Sequence, residues 1–189
     1  TPWHGGFILF IKRTIVDKKT IIDGEHVYCL SSSEAKMLYE HINGYLNTEV
    51  VINENDIIID IGANIGIFGI KLSKLFNNKI TILSFEPIKD IFNVLKKNSL
   101  LTRNKNFKVF ECGISNKNEQ ANFTYYPNSP ALSTANPEAW DDNKDLITAV
   151  EGNLKHSPSS LWWTKFIPRF LYPLIVKILK QNPVNINCN

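Results

Sequence analysis

The sequence predicts an α/β fold built on a parallel, doubly wound sheet. Three observations lead there: short apolar runs alternate with helix-period segments between residues 51 and 110, the first run ends in a glycine-containing loop, and the second ends in an acid followed by proline. Strands separated by helices of this length imply right-handed crossovers and hence parallel strands.

Residues 7–16 and 20–30 read as two extended segments rich in Ile, Val and Tyr, with a turn at Asp23-Gly24. Ser31 followed three residues later by Glu34 is a capping-box signature. Met37, Leu38, His41 and Ile42 then recur at helical spacing, which predicts a helix over about 32–43. Residues 56–61, dominated by isoleucine, have the pattern of a strand buried on both faces, and they end in Gly62-Ala63-Asn64-Ile65-Gly66. A helix follows, marked by Ile65, Phe68, Leu72, Leu75 and Phe76 and stopped by Asn77-Asn78. Residues 79–85 form a second strand, Ile88, Ile91, Phe92, Leu95 and Leu100 mark a second helix, and residues 107–110 form a third strand. Residues 121–126 read as one more strand or hairpin arm.

After Pro127 the character changes. Pro130, Pro137, Pro158, Pro168 and Pro173 punctuate a segment dense in Asn, Ser and aromatics, without a βα repeat. It reads as an insertion over the sheet containing two short amphipathic helices, 161–167 and 171–179. The expected organisation is therefore lead-in strands and a helix over 1–50, a ligand-binding α/β core over 51–126, and a lid-like helical insertion over 127–189.

Composition narrows the function classes. With 189 residues, 43% hydrophobic and 21% charged, one core is expected. The net charge of +3 comes without a Lys/Arg run, so nucleic acid is not an expected partner. Cys29, Cys112 and Cys188 are far apart and lack metal-ligand spacing, which predicts a reduced, cytoplasmic setting and no metal. No signal-peptide pattern precedes the charges at Lys12 and Arg13, so secretion is not expected. The most apolar stretch, 161–179, is interrupted by Lys165, Arg169 and Lys177, so no membrane span is expected. The acidic run 138–145 lacks a Ca²⁺-loop pattern and reads as a solvated turn.

The chemistry is expected at the first strand-to-helix turn, because ligands of open α/β sheets bind at the carboxyl ends of the strands. Gly62 permits a sharp exit from the strand, Gly66 removes a side chain where cofactor and helix start come close, and Asp60 supplies a hydrogen-bond acceptor. Against the dinucleotide fingerprint G-x-G-x-x-G, positions 62, 64 and 67 are Gly, Asn and Ile. Two of the three glycines are missing, which disfavours NAD and FAD, and no Walker-type motif occurs. Glu86, ending the second strand, lies where a carboxylate accepts hydrogen bonds from the ribose hydroxyls of an adenosyl group. The loop alone is equally an ordinary tight turn; pairing it with Glu86 in register gives it specificity.

At this point the chain resembles the FkbM-type methyltransferases, on the Asp60-to-Gly66 loop followed by Phe85-Glu86-Pro87. Residues 34–46, with Leu38-Tyr39-Glu40 and Tyr45-Leu46, are similar to the helix that precedes that family's core, and Cys112-Gly113-Ile114-Ser115 is similar to the segment after its third strand. Tyr125-Tyr126-Pro127-Asn128 and Leu132-Ser133-Thr134 resemble O-methyltransferases of polyketide and nonribosomal-peptide pathways. The likeness covers about residues 26–134. It implies a Rossmann-like class I methyltransferase sheet with helices on both faces, incomplete at the C-terminus because family members continue with further strands. It also implies S-adenosyl-L-methionine as cofactor, with Asp60, Gly62, Ala63, Asn64 and Gly66 near the methionine moiety, Glu86 and Pro87 at the ribose, and Cys112, Gly113 and Ser115 along the adenine. Asn116 stands where the family often has Asp, adding a donor to that contact. The implied reaction is O-methylation of a small-molecule or carrier-protein-bound hydroxyl in secondary metabolism, with docking to a biosynthetic assembly line. The alternative is a non-catalytic or truncated methyltransferase-like docking domain.

Catalytic residues are less legible. Among His4, His26, His41 and His156, only His41, on the expected helix near Tyr45, is a candidate base, and a packed or surface histidine is the better reading of it. Cys112 reads as a small packed residue rather than a nucleophile. Trp162, Trp163, Phe166, Phe170 and Tyr172 either line an apolar acceptor pocket or anchor the lid in the core; with Lys165, Arg169, Lys177 and Lys180 they also allow a membrane-surface helix.

Overall fold

A computed structural model of the chain describes residues 18–46, 51–137, 147, 150, 151 and 159–188. The strand expected over 7–16, together with His4, His156 and the acidic run 138–145, lies outside the described residues.

The chain opens on an antiparallel hairpin, β1 (Lys18–Ile22) and β2 (Glu25–Cys29). Asp23 and Gly24 turn it with φ of 51° and 78°, the left-handed pair that a two-residue hairpin loop demands. The turn is where the sequence places it, but it joins two arms within 18–29 rather than the segments 7–16 and 20–30. Helix α1 (Ser32–Leu46) follows and runs three residues beyond the expected end. Only half of the capping box forms. Ser31 Oγ accepts the Glu34 N–H at 3.4 Å, whereas the Glu34 carboxylate turns away to accept the Ala131 N–H at 2.7 Å.

The centre is β3 (Ile57–Ile61), α2 (Ile67–Leu75), β4 (Thr81–Phe85), α3 (Lys89–Leu101) and β5 (Phe107–Phe110). The three strands form a parallel sheet in the order β3-β4-β5, with Ile57 beside Thr81 and Ile82 beside Phe107. This is the expected α/β alternation, compatible with a Rossmann-like sheet. Leu72, Ile80, Ile82 and Leu95 are fully buried and pack with Phe92 and Phe107 between the helices and one sheet face.

The expectation of helices on both faces is not met among the described residues. Each crossover steps the same way across the sheet, and right-handed crossovers that step one way put their helices on one face. The strand over 56–61 is accordingly half-buried on one face and exposed on the other: Ile57, Ile59 and Ile61 are 62–66% exposed. Leu75 and Leu100, read as core positions of their helices, are also exposed, because both fall at the solvent edge of their apolar stripes.

Beyond β5, β6 (Ala121–Tyr125) pairs antiparallel with β7 (Val184–Cys188), a partner the sequence reading missed. In between, 3-10 turns at Pro130–Leu132, Ser159–Phe166 and Arg169–Leu171 lead into α4 (Tyr172–Leu179). Two short helical pieces were expected here; the first is 3-10 and the second is α. Tyr172 and Val176 of α4 pack with Val150, Leu132 and Ile147. Among the described residues no helix is long and apolar enough to cross a membrane.

Candidate functional site

The carboxyl ends of β3 and β4 meet at the start of α2. Gly62 and Ala63 both donate their N–H to the Phe85 carbonyl at 3.0 Å, tying the loop to the end of β4, and Gly66 N–H closes a turn on the Ala63 carbonyl at 2.9 Å. Gly62, Asn64 and Gly66 have φ of 73°, 50° and 82°. Asn64 adopts this conformation with its Oδ1 accepting the Ile65 N–H at 2.7 Å, the local hydrogen bond that lets asparagine enter the left-handed region. A Cβ on Gly62 would meet nothing within 4 Å, so the backbone angle alone requires glycine there. On Gly66 a Cβ would lie 2.5 Å from Leu95 Cδ1, so the close approach is made by α3. Room for the cofactor is therefore not the reason the structure gives for Gly66.

Glu86 is only 5% exposed. Its Oε2 accepts the Asn64 N–H at 3.1 Å and its Oε1 the Ile88 N–H at 3.0 Å, so the carboxylate joins the glycine loop to the start of α3. Burial pushes its pKa up to about 6 against the pull of those two amides, and the charge of Asp60 adds to the rise. Asp60 accepts a hydrogen bond from Ser84 Oγ at 2.9 Å, and its own pKa is raised by burial. When ionised, both carboxylates are acceptor-only and keep lone pairs beyond the bonds they already make.

A cleft of about 390 Å³ opens beside them, lined by Asp60, the loop residues 62–65 and Phe68, with Leu38 and Ile42 of α1 as the facing wall. An acceptor-rich, partly apolar cleft suits a ligand offering hydroxyl or ammonium donors together with an apolar body. It suits a pyrophosphate badly, since the Asp60 carboxylate in its lining would face the added negative charge.

The remaining predicted site residues are brought near to different degrees. Gly113 runs past Pro87, where an added Cβ would be 3.8 Å from Pro87 Cβ, so the segment after β5 stands against the Phe85-Glu86-Pro87 motif. Cys112 is half-buried, while Ser115 and Asn116 are exposed and bonded to each other, Ser115 Oγ donating to Asn116 Oδ1 at 3.4 Å. His41 is half-buried on α1, beside Ile42. Trp162, Trp163, Phe166 and Phe170 are exposed, which overturns a core role for these four; Tyr172 is buried.

Three residues escaped the sequence reading. Asn98 is fully buried in α3; its Nδ2 donates to the Ile65 carbonyl at 2.6 Å and to the Tyr28 carbonyl at 3.0 Å, while its Oδ1 accepts the Tyr28 N–H at 2.8 Å. One side chain thus pins the glycine loop to β2. The signal was present: an asparagine on the apolar stripe of Ile91, Val94 and Leu95 needs buried partners. Glu34 is buried on α1, with its pKa raised to about 7 by burial against the Ala131 N–H. Cys188 is buried in β7, and burial first, then the charges of Glu86 and Glu111, raises its thiol pKa. The chain distances behind the last two leave no local trace.

No family model matches the chain. Among curated proteins it is 33% identical over 125 residues to the methyltransferase sdnD of Sordaria araneosa, 65% of this chain and 47% of that protein. It is 29% identical over 128 residues to the 31-O-demethyl-FK506 methyltransferase FkbM of Streptomyces tacrolimicus, 66% of this chain and 48% of that protein. A stretch of 113 residues, 58% of this chain, is 28% identical to 5% of the AMB antimetabolite synthetase AmbE of Pseudomonas aeruginosa. The chain spans about half the length of the first two of these relatives.

Proposed function

We propose that the chain, which is similar over about two thirds of its length to two methyltransferases, one of them FkbM, is the cofactor-binding part of an S-adenosyl-L-methionine-dependent methyltransferase. The observation that carries the reading is Glu86, a buried carboxylate bonded to the Asn64 amide of the glycine loop and close enough to Asp60 to feel its charge. Glu86 accepts the ribose hydroxyls; Asp60 and the loop through Gly62, Ala63, Asn64 and Gly66 hold the amino-acid end, whose ammonium suits the acceptor-only Asp60 carboxylate in the cleft lining. Pro87, Cys112, Gly113 and Ser115 border the adenine side. When bound, the cofactor supplies a methyl group on an electrophilic sulfonium.

For the acceptor we propose a hydroxyl on a small molecule or carrier-protein-bound intermediate of secondary metabolism, with N-methylation second. The name of the Streptomyces relative describes an O-methylation by that protein, and the match inside AmbE, a synthetase, supports an acceptor presented by a biosynthetic assembly line. His41 stands as the candidate base. Residues 127–182 act as a lid over the acceptor side, since Trp162 and Trp163 are exposed and free to meet an acceptor. The free cysteines Cys29, Cys112 and Cys188 support a reducing, cytoplasmic setting.

Calorimetry with S-adenosyl-L-methionine and NAD tests the cofactor. Binding of the former alone is expected, weakened about tenfold or more by Glu86→Gln through loss of charge-assisted hydrogen bonds. Equal affinity for NAD, or indifference to the substitution, overturns the reading. With labelled cofactor and paired hydroxyl and amine acceptors, label is expected on oxygen; label on nitrogen alone refutes the O-methylation part.

A further inference from the structure

The segment from the 3-10 turn Ser159–Phe166 through α4 exposes an unusual set of large apolar side chains. Phe166 and Phe170 are 75% and 77% exposed, Trp162 62% and Leu174 54%. Trp162 and Phe166 meet edge to face with ring centroids 5.9 Å apart, so they form one projecting aromatic unit. Leu174 and Ile178 fall four residues apart on one stripe of α4, opposite the buried Tyr172 and Val176, and Phe170 precedes them in the adjoining 3-10 turn. The helix therefore has two apolar faces, one serving the core and the other facing solvent.

Charge tells what the outer face fits. Residues 159–181 contain Lys165, Arg169, Lys177 and Lys180 and not one Asp or Glu. Lys177 sits on the exposed stripe beside Ile178, and the Arg169 side chain remains 75% exposed even while it reaches Glu151 at 3.3 Å. Exposed tryptophan, phenylalanine and leucine interspersed with cations, with Glu151 the one acid shown against them among the described residues, make up an interfacial surface, in which rings enter the headgroup boundary and cations meet anionic headgroups. Insertion into a bilayer boundary needs no matching pocket, which suits rings projecting from short separate elements.

We propose that this face docks on an anionic phospholipid surface, lying in the headgroup plane. The inference rests on exposure and charge and does not depend on the methyltransferase reading. The test is co-sedimentation, with tryptophan emission as a second readout, against phosphatidylcholine vesicles with and without phosphatidylserine. Binding is expected to favour the anionic vesicles about tenfold or more and to weaken as salt rises. Lys177→Glu is expected to cost about tenfold, and the Phe170→Ser/Leu174→Ser variant a similar loss, each with an unchanged thermal unfolding curve. Equal binding to neutral vesicles, wild-type binding by the folded variants, or capture of an acidic carrier protein without any vesicle binding would each overturn the proposal.

Discussion

Glu34 and Glu86 are both buried carboxyls, and their raised pKa values make the same demand on pH. Glu34 rises from an ordinary 4.5 to about 7 because burial outweighs its one bond from Ala131 N–H. Between those values the folded chain keeps a proton that the unfolded chain releases, so stability falls as pH climbs through this window. The shift corresponds to on the order of 3 kcal/mol, and Glu86 adds a smaller effect of the same sign between 4.5 and about 6. Urea unfolding at pH 5 and pH 8 should show the chain more stable at pH 5, and Glu34→Gln should remove most of the difference by stabilising the protein at pH 8. A variant with the wild-type pH dependence would show that Glu34 is not the cause. The position of Glu86 at the end of β4 was legible in the sequence because it belongs to a local motif, three letters at the end of a strand. Glu34 was read as a cap instead, since its partner Ala131 lies 97 residues away and nothing local points to it.

Among the elements, α2 shows why a propensity argument alone fails. Gly69 lies inside the helix, where alanine is ordinarily better by about 1 kcal/mol. Yet a Cβ at that position would sit 2.2 Å from Phe107 Cζ and 2.6 Å from Cε1, against a ring wedged under the helix from β5. Gly69→Ala should therefore destabilise by about 1–3 kcal/mol in urea unfolding; a gain of about 1 kcal/mol would mean that the ring moves aside freely. The lid makes its own prediction: Trp162→Ala with Trp163→Ala should reduce acceptor turnover while leaving cofactor affinity and thermal stability near wild type, because neither ring is buried. Joint loss of affinity and stability would defeat it. The strands and helices from β3 to β5 were legible because each carries its own period. β7 was not, since Val184–Cys188 alternates with asparagine and becomes a strand only by pairing with β6, about sixty residues earlier in the chain. The two-sided burial read into β3 failed for a related reason: an isoleucine run fits a strand covered on one face or on both, and the direction of the crossovers decides which.

At the scale of the whole molecule, the parallel winding was legible from the alternation of periods, whereas the faces that the helices cover depend on the direction of winding, which no local segment encodes. What the winding achieves is clear in the site. It brings the β3 loop, the end of β4 and the start of α3 to one edge, where Asn64 N–H, Ile88 N–H and the nearby charge of Asp60 act on a single carboxylate. The most direct test of that carboxylate is the pH dependence of S-adenosylhomocysteine affinity, measured by calorimetry from pH 5 to 8 in the wild type and in Glu86→Gln. On the proposed reading, ionised Glu86 accepts ribose hydroxyls on both oxygens, and its protonated form gives up part of that capacity. Wild-type affinity should thus be level above about pH 7 and fall as pH drops through about 6, while the variant is weaker and flat. Unfolding does not mimic this result, since both raised carboxyls make the fold more stable toward pH 5. A flat wild-type profile, or the same midpoint in wild type and variant, would contradict a cofactor site built on Glu86.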